Sequence, residues 1–171
     1  MLDLLPMNEA NLSCWLEQPH RFEALTGFAL PQNLTEFPEA WPYLRISMCN
    51  GQYDARWGSY YLIWRTRSGG TVVGLGGYKG RPDAEGWVEI GYEIAPDYRK
   101  RGLATTFVRI LLEHARHDPY VRGIIAHTLP EENPSVMLLR ATGFQFVGAV
   151  EDPDDGTIWR WERPFHGQLV T

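Results

Sequence analysis

Cysteine is scarce in this sequence, with only Cys14 and Cys49 among 171 residues. Neither belongs to a C-x-x-C pair or to a metal-ligand spacing, so a disulfide framework, a zinc ribbon and a thioredoxin-type motif are excluded. Two such thiols read as free cysteines of a reducing compartment, and the expected location is cytoplasmic. Long apolar runs are missing as well. No window approaches the ~18 uninterrupted apolar residues of a membrane span, so no membrane partner is expected. Met1-Leu2-Asp3-Leu4-Leu5-Pro6 has no basic residues and does not read as a signal peptide. Positive charge is the minority sign, 16 Lys and Arg against 21 Asp and Glu, for a net charge of −5. Nucleic-acid binders are usually strongly basic, so no nucleic acid is expected as a partner. Repeats and low-complexity tracts are absent too. With 44% hydrophobic and 22% charged residues the chain can bury a core, and its length suits one domain over residues 1–171.

What is present divides into two zones. Residues 1–57 mix short apolar stretches with Pro6, Pro19, Pro31, Pro38 and Pro42, which predicts a short strand followed by helices broken at prolines. From residue 59 the pattern becomes regular. Tyr60–Trp64 and Thr71–Tyr78 flank Ser68-Gly69-Gly70 as a hairpin, and Trp87–Ile94 is a third strand ended by Pro96. Apolar residues Ala104, Phe107, Val108, Leu111 and Ala115 recur at helical spacing and predict a helix over 101–117. Gly123–Ala126 reads as a short buried strand, and 133–142 as a helix stopped by Gly143. Residues 144–150 and 157–161 close the chain as a hairpin. The fold class is therefore α/β, one mixed sheet with helices packed on its faces.

The segment from Tyr92 to Thr105 carries the chemistry. A strand ends, the chain turns, and a helix begins beside Gly102. The N–H groups of a first helical turn have no intrahelical carbonyl, and the dipole there is positive, which suits an anion. Gly102 and Ala104 lack bulk, and Arg99, Lys100 and Arg101 add three cations. Cations at that end are disfavoured by the dipole, and a bound anion relieves the conflict. The Walker A spacing is absent. Gly74-Leu75-Gly76-Gly77 lies inside a strand, followed by a turn, so its glycines read as close-packing positions rather than a dinucleotide fingerprint.

Arg99-Lys100-Arg101-Gly102-Leu103-Ala104 resembles the Arg/Gln-x-x-Gly-x-Gly/Ala signature of the GNAT acetyltransferase superfamily. Glu89–Pro96 is similar to that family's fourth strand. Ala126–Ser135 and Leu138–Phe144 are similar to its fifth strand and to a second motif ending in Gly-Phe. The resemblance covers roughly residues 59–163 and is closest to the branch that acetylates N-termini of ribosomal proteins. It implies a mostly antiparallel mixed sheet with splayed fourth and fifth strands. It implies an N-acetyltransferase that moves acetyl from acetyl-coenzyme A to a primary amine by direct attack. The acceptor is a protein N-terminus or a small-molecule amine, and a silent acyl-coenzyme A sensing module is the alternative. The resemblance places the pantetheine arm at the backbone of Ile94 and Ala95, and the pyrophosphate on Arg99, Lys100, Arg101, Gly102, Leu103, Ala104 and Thr105. Asn133 is the candidate for the family's cofactor-binding Asn, with Glu132 one place earlier as the other. Where some members carry a tyrosine acid, this chain has Leu139.

Catalytic candidates follow from position. Along Val88–Ile94, Glu89, Gly91 and Glu93 share one face of the strand. The two carboxylates stand about 13 Å apart at ~3.3 Å rise per residue, too far for a coupled pair. Glu89 is the expected base, with Glu93 as a substrate anchor. His127, at the end of the fifth strand, is the other base candidate. Ser135 either protonates the leaving thiolate or caps the following helix. His114 and His117 lack further ligands nearby, so no metal is expected. The loop from Pro31 to Trp41, a restricted lip with Phe37 and Trp41 as apolar contacts, is expected to border the acceptor site. Aromatic density between Trp41 and Trp64 fits a core, an amine-facing wall or a homodimer interface.

Overall fold

The computed structural model describes residues 1–165. Its strands are β1 (Leu2–Pro6), β2 (Ser59–Thr66), β3 (Gly69–Tyr78), β4 (Trp87–Ile94), β5 (Gly123–Thr128), β6 (Gln145–Asp152) and β7 (Gly156–Pro164). They form one sheet in the order β1-β2-β3-β4-β5-β7-β6. The helices are α1 (Glu9–Glu17), α2 (Phe22–Thr26), α3 (Ala40–Cys49), α4 (Leu103–Arg116) and α5 (Pro134–Ala141). By its contacts the chain forms two compact units. The first holds Met1–Gly80 and Tyr92–Leu103; the second holds Arg81–Gly91 and the residues from Ala104 on. The last six residues of the expected 1–171 domain lie outside the described residues.

In the first unit β2 pairs antiparallel with β1 and with β3. Its core gathers Met7, Phe22, Leu34, Tyr61, Ile63, Val72, Leu75 and Ala95, with Trp15, Phe28 and Trp41 packed partly against it. The aromatic zone is only partly core. Trp57 and Tyr61 are buried, while Tyr43 is exposed. Helix α1 opens on a reciprocal cap, Asn8 accepting from the Asn11 N–H and Asn11 from the Asn8 N–H, both at 2.9 Å. Pro42 sits in the first turn of α3, where a missing N–H costs nothing. Gly74 has the packing role expected of it, because an added Cβ would lie 2.4 Å from the Glu93 carbonyl oxygen.

In the second unit β5 pairs parallel with β4 and antiparallel with β7, and β7 pairs antiparallel with β6. The parallel ladder runs from Trp87↔Gly123 to Ile90↔Ala126 and stops there, although both strands continue. Helix α4 buries Phe107, Val108, Leu111 and Ala115, as its spacing predicts. It begins later than expected, at Leu103 rather than 101. Gly102 has φ 73, a left-handed value that cannot be helical, so Arg101 and Gly102 belong to the preceding loop. Helix α5 is capped by Asn133, whose Oδ1 accepts the Val136 N–H at 3.0 Å. The capping role weighed for Ser135 therefore falls to Asn133, two residues earlier. Gly143 follows the helix with φ 86, the left-handed stop expected there.

Candidate active site

Alternation along β4 puts Val88, Ile90 and Ile94 in the interior and leaves Glu89, Gly91 and Glu93 half-buried. No bulge interrupts the parallel register, in which Glu89 stands opposite Ile125. His127 is two residues further along β5, on the same face. The geometry joins the two base candidates: His127 Nδ1 lies 2.9 Å from Glu89 Oε1. Their side chains are 19% and 31% exposed, so the pair is sheltered yet reachable. An ionised carboxylate only accepts hydrogen bonds, so the shared proton sits on Nδ1 and Nε2 is the basic nitrogen. Across β7, Arg160 stands opposite His127 and is paired at 2.8 Å with Glu162.

Other candidates near α5 are already engaged. Both Glu132 oxygens accept from Arg140, each at 2.8 Å. That hydrogen bond holds the Glu132 carboxyl below its usual range and raises the Arg140 guanidinium. Asn133 spends its side-chain oxygen on the helix cap. Ser135 lies half-buried in the first turn, and Leu139 is buried in the core.

In the first unit, the segment between β4 and α4 is unusual in backbone. Lys100 has φ 61 and is the one non-glycine residue with positive φ among the described residues. Such strain in a charged loop persists only where the surroundings impose it, and it clusters at functional sites. An added Cβ at Gly102 would meet nothing within 4 Å, so the space in front of that backbone is open. Arg101 lies over Trp64 and Tyr98, with ring distances of 5.4 and 5.6 Å, and donates to the Asp97 carbonyl. The Ala95 N–H donates to Val73 O and its carbonyl accepts from Tyr98, while Ile94 O accepts from Arg99 Nε at 3.0 Å.

Glu93 holds the loop before α3. Thr35 Oγ1 donates to its Oε2 at 2.7 Å, and the Glu36 N–H to its Oε1 at 2.5 Å. The Glu36 carboxylate in turn pairs with Arg99. Sequence reading missed Thr35 as a partner and this ion pair, for no local pattern links residues 58 and 63 positions apart. In the same unit Phe37 is 60% exposed, while Trp41 packs on Trp15 at 5.6 Å.

Comparison with known proteins places this architecture in a family. The profile of the Acetyltransferase (GNAT) domain matches residues 6–145, more than four fifths of the chain. The chain belongs to the GNAT acetyltransferase family. A curated relative, the uncharacterised N-acetyltransferase p20 of Bacillus licheniformis, is 30% identical over 81 residues, 47% of this chain and 46% of the relative. The match thus spans about half of that relative's length. Among solved structures, a Bordetella pertussis protein assigned to the GnaT family is 27% identical at TM-score 0.63, over 95% of this chain and 94% of that one. The ribosomal L7/L12 α-N-protein acetyltransferase RimL, solved with coenzyme A, superposes at TM-score 0.66 with 13% identity, over 95% and 93% of the two chains. The latter shares the fold.

Proposed function

We propose that this chain is a single-domain, cytoplasmic N-acetyltransferase that moves an acetyl group from acetyl-coenzyme A to a primary amine. The observation that carries the donor half is the Arg99–Gly102 loop: strained at Lys100, open in front of Gly102, and leading into the positive end of α4. Membership in the family agrees with it, as does the coenzyme A bound to RimL. In this reading the Arg99–Thr105 segment and Asn133 hold the coenzyme, whose thioester supplies the activated acetyl group. Ile94 and Ala95 line the path of the pantetheine arm.

The chain's own groups manage the protons. The amine nitrogen bonds to the thioester carbon, the carbon–sulfur bond breaks, and an amide and a thiol result. His127 Nε2 takes the proton the amine sheds, with Glu89 fixing the ring through Nδ1–H and stabilising the imidazolium. The Ser135 hydroxyl relays a proton to the leaving sulfur, regaining one from solvent as it does so, and the imidazolium returns its extra proton to solvent. Glu93 and Phe37 serve the acceptor side, Glu93 by holding the Thr35–Glu36 loop, while Trp41 packs on Trp15 at the edge of the core and supports that side only through the fold. The acceptor class is an α-amine of a protein N-terminus or a small-molecule amine.

The test has two parts. Acetyl-coenzyme A at a hundredfold over its Kd should stabilise the fold by about 2.7 kcal/mol. A panel of amines and N-terminal peptides should then release free thiol with at least one acceptor. An unchanged melting temperature at saturating donor overturns the donor assignment. Binding without transfer to any amine would leave a sensing module instead.

A further inference from the structure

The loop before α3 is tied down at two points of different chemical kind. At one end Glu93 accepts from the Thr35 hydroxyl and the Glu36 N–H. Both donors are neutral, and the anionic group that accepts them would repel a second anion. At the other end the Glu36 carboxylate pairs with Arg99, whose Nε also donates to Ile94 O. That ion pair is exposed, 52% for Glu36 and 44% for Arg99, so it exchanges readily. Arg99 is also the first of the three cations in the loop assigned above to the donor's diphosphate. One guanidinium thus has two anionic claimants, a single carboxylate and a diphosphate that carries more charge and matches its planar fork.

We propose that Glu36 and Arg99 form a latch that couples donor binding to release of the Thr35–Phe37 loop. This rests on the reading of the chain as a coenzyme A-dependent transferase. The diphosphate draws Arg99 off Glu36, and the loop keeps only its Glu93 anchor. The Glu36 carboxylate, its counter-ion withdrawn, becomes an anion next to the exposed Phe37, a pairing that suits a protonated amine with an apolar neighbour. Donor binding therefore prepares the acceptor side, and by linkage the coupling is reciprocal.

Coenzyme A itself is the probe, titrated calorimetrically at low salt into the full chain. Glu36→Gln removes the competitor for Arg99 while keeping the N–H that binds Glu93. It should tighten coenzyme A by roughly two- to fivefold, the range an exposed ion pair commands. Glu39→Gln, which removes the same charge three residues away, is the control for general electrostatics. On an Arg99→Ala background Glu36→Gln should do no more than Glu39→Gln. As a second readout, exchange of the Phe37 amide proton, which bonds within the loop to Thr35 Oγ1, should speed up when coenzyme A is added to the unaltered protein. Equal effects of the two glutamate changes, or exchange that slows or stays constant, overturns the latch and leaves the transferase reading standing. A protein that binds no coenzyme A overturns both.

Discussion

His127 Nδ1 and Glu89 Oε1 stand 2.9 Å apart on neighbouring parallel strands, although the ladder sets Glu89 opposite Ile125. The diagonal contact arises because residues two apart share a face, so His127 reaches back along β5 to a partner on β4. The two groups form one hydrogen-bonded unit, and in the proposed reaction they divide the labour, the carboxylate fixing the tautomer and the ring carrying the proton.

That unit should show in kinetics. His127→Ala is expected to lower kcat by ~10²–10⁴-fold, the usual range for loss of a general base. Glu89→Gln should cost a comparable factor, because an amide can present its NH₂ to the ring and favour the wrong tautomer. The double variant should be no worse than the worse single one, as for residues that act together. Multiplying losses would show two independent roles. Wild-type turnover for His127→Ala would return the base assignment to Glu89 alone.

The donor loop makes a separate prediction. Gly102 has φ 73 and open space before it, so Gly102→Ala clashes with nothing in the protein but pays about 1–2 kcal/mol for a left-handed backbone. In the proposed donor site the new methyl also stands on the diphosphate's side of the loop. Donor affinity should therefore drop by more than the stability loss accounts for, at a temperature where the variant is fully folded. Lys100→Gly should do the reverse for stability, raising the melting temperature by relief of strain at φ 61. Equal donor affinity in wild type and Gly102→Ala would remove this loop from the donor site.

Much of the fold is legible in the amino-acid sequence. Period-two alternation in Val88–Ile94 and helical spacing in α4 each report burial, and burial follows a local period. The turn at Gly102 between β4 and α4 was legible, though the helix start was misplaced, because only φ reveals that the glycine is left-handed. Partnerships across the sheet were not legible. Glu89 and His127 are 38 residues apart and Glu36 and Arg99 are 63, so neither pair leaves a periodic trace. The cap at Asn133 was not foreseen, the capping role having been weighed for Ser135 alone. Both residue types cap well, and Pro134 at the first helical position decides for the residue before it.

Alkaline stability should report on Tyr61. Its ring is fully buried and its hydroxyl donates to Asn11 O at 3.3 Å. Burial pushes the phenol far above its ordinary range, and burial also raises Tyr53 and Tyr60. In the unfolded chain a tyrosine ionises near ~10. A raised folded value means this contribution is complete below about pH 10 and is lost as pH climbs past it. The melting temperature should fall steeply there. Tyr61→Phe should make that fall shallower, at a cost near ~1 kcal/mol at neutral pH for the lost hydrogen bond. An alkaline limb identical in the two proteins would assign the effect to other groups.

Phe37 and Trp41 separate acceptor binding from packing. Trp41 is half-buried against Trp15 and belongs to the periphery of the first unit's core. Removing such a ring costs stability, with ~3–5 kcal/mol the range for fully buried aromatics and less here. Phe37 is 60% exposed on a loop pinned by Glu93, so its ring contributes little to the fold. An exposed aromatic on a pinned loop is what an apolar acceptor contact requires. Phe37→Ala is therefore expected to leave the melting temperature within a degree or so of wild type, since surface changes stay within about ±0.5 kcal/mol. It should raise the acceptor's KM and leave the KM for acetyl-coenzyme A unchanged, the mark of lost acceptor binding. Phe37 is a cleaner probe than Glu36, which the Arg99 pair ties to the donor as well. Trp41→Ala should lower the melting temperature, with kinetics at low temperature close to wild type. If Phe37→Ala shifts neither KM, the amine enters elsewhere and the loop serves the latch alone.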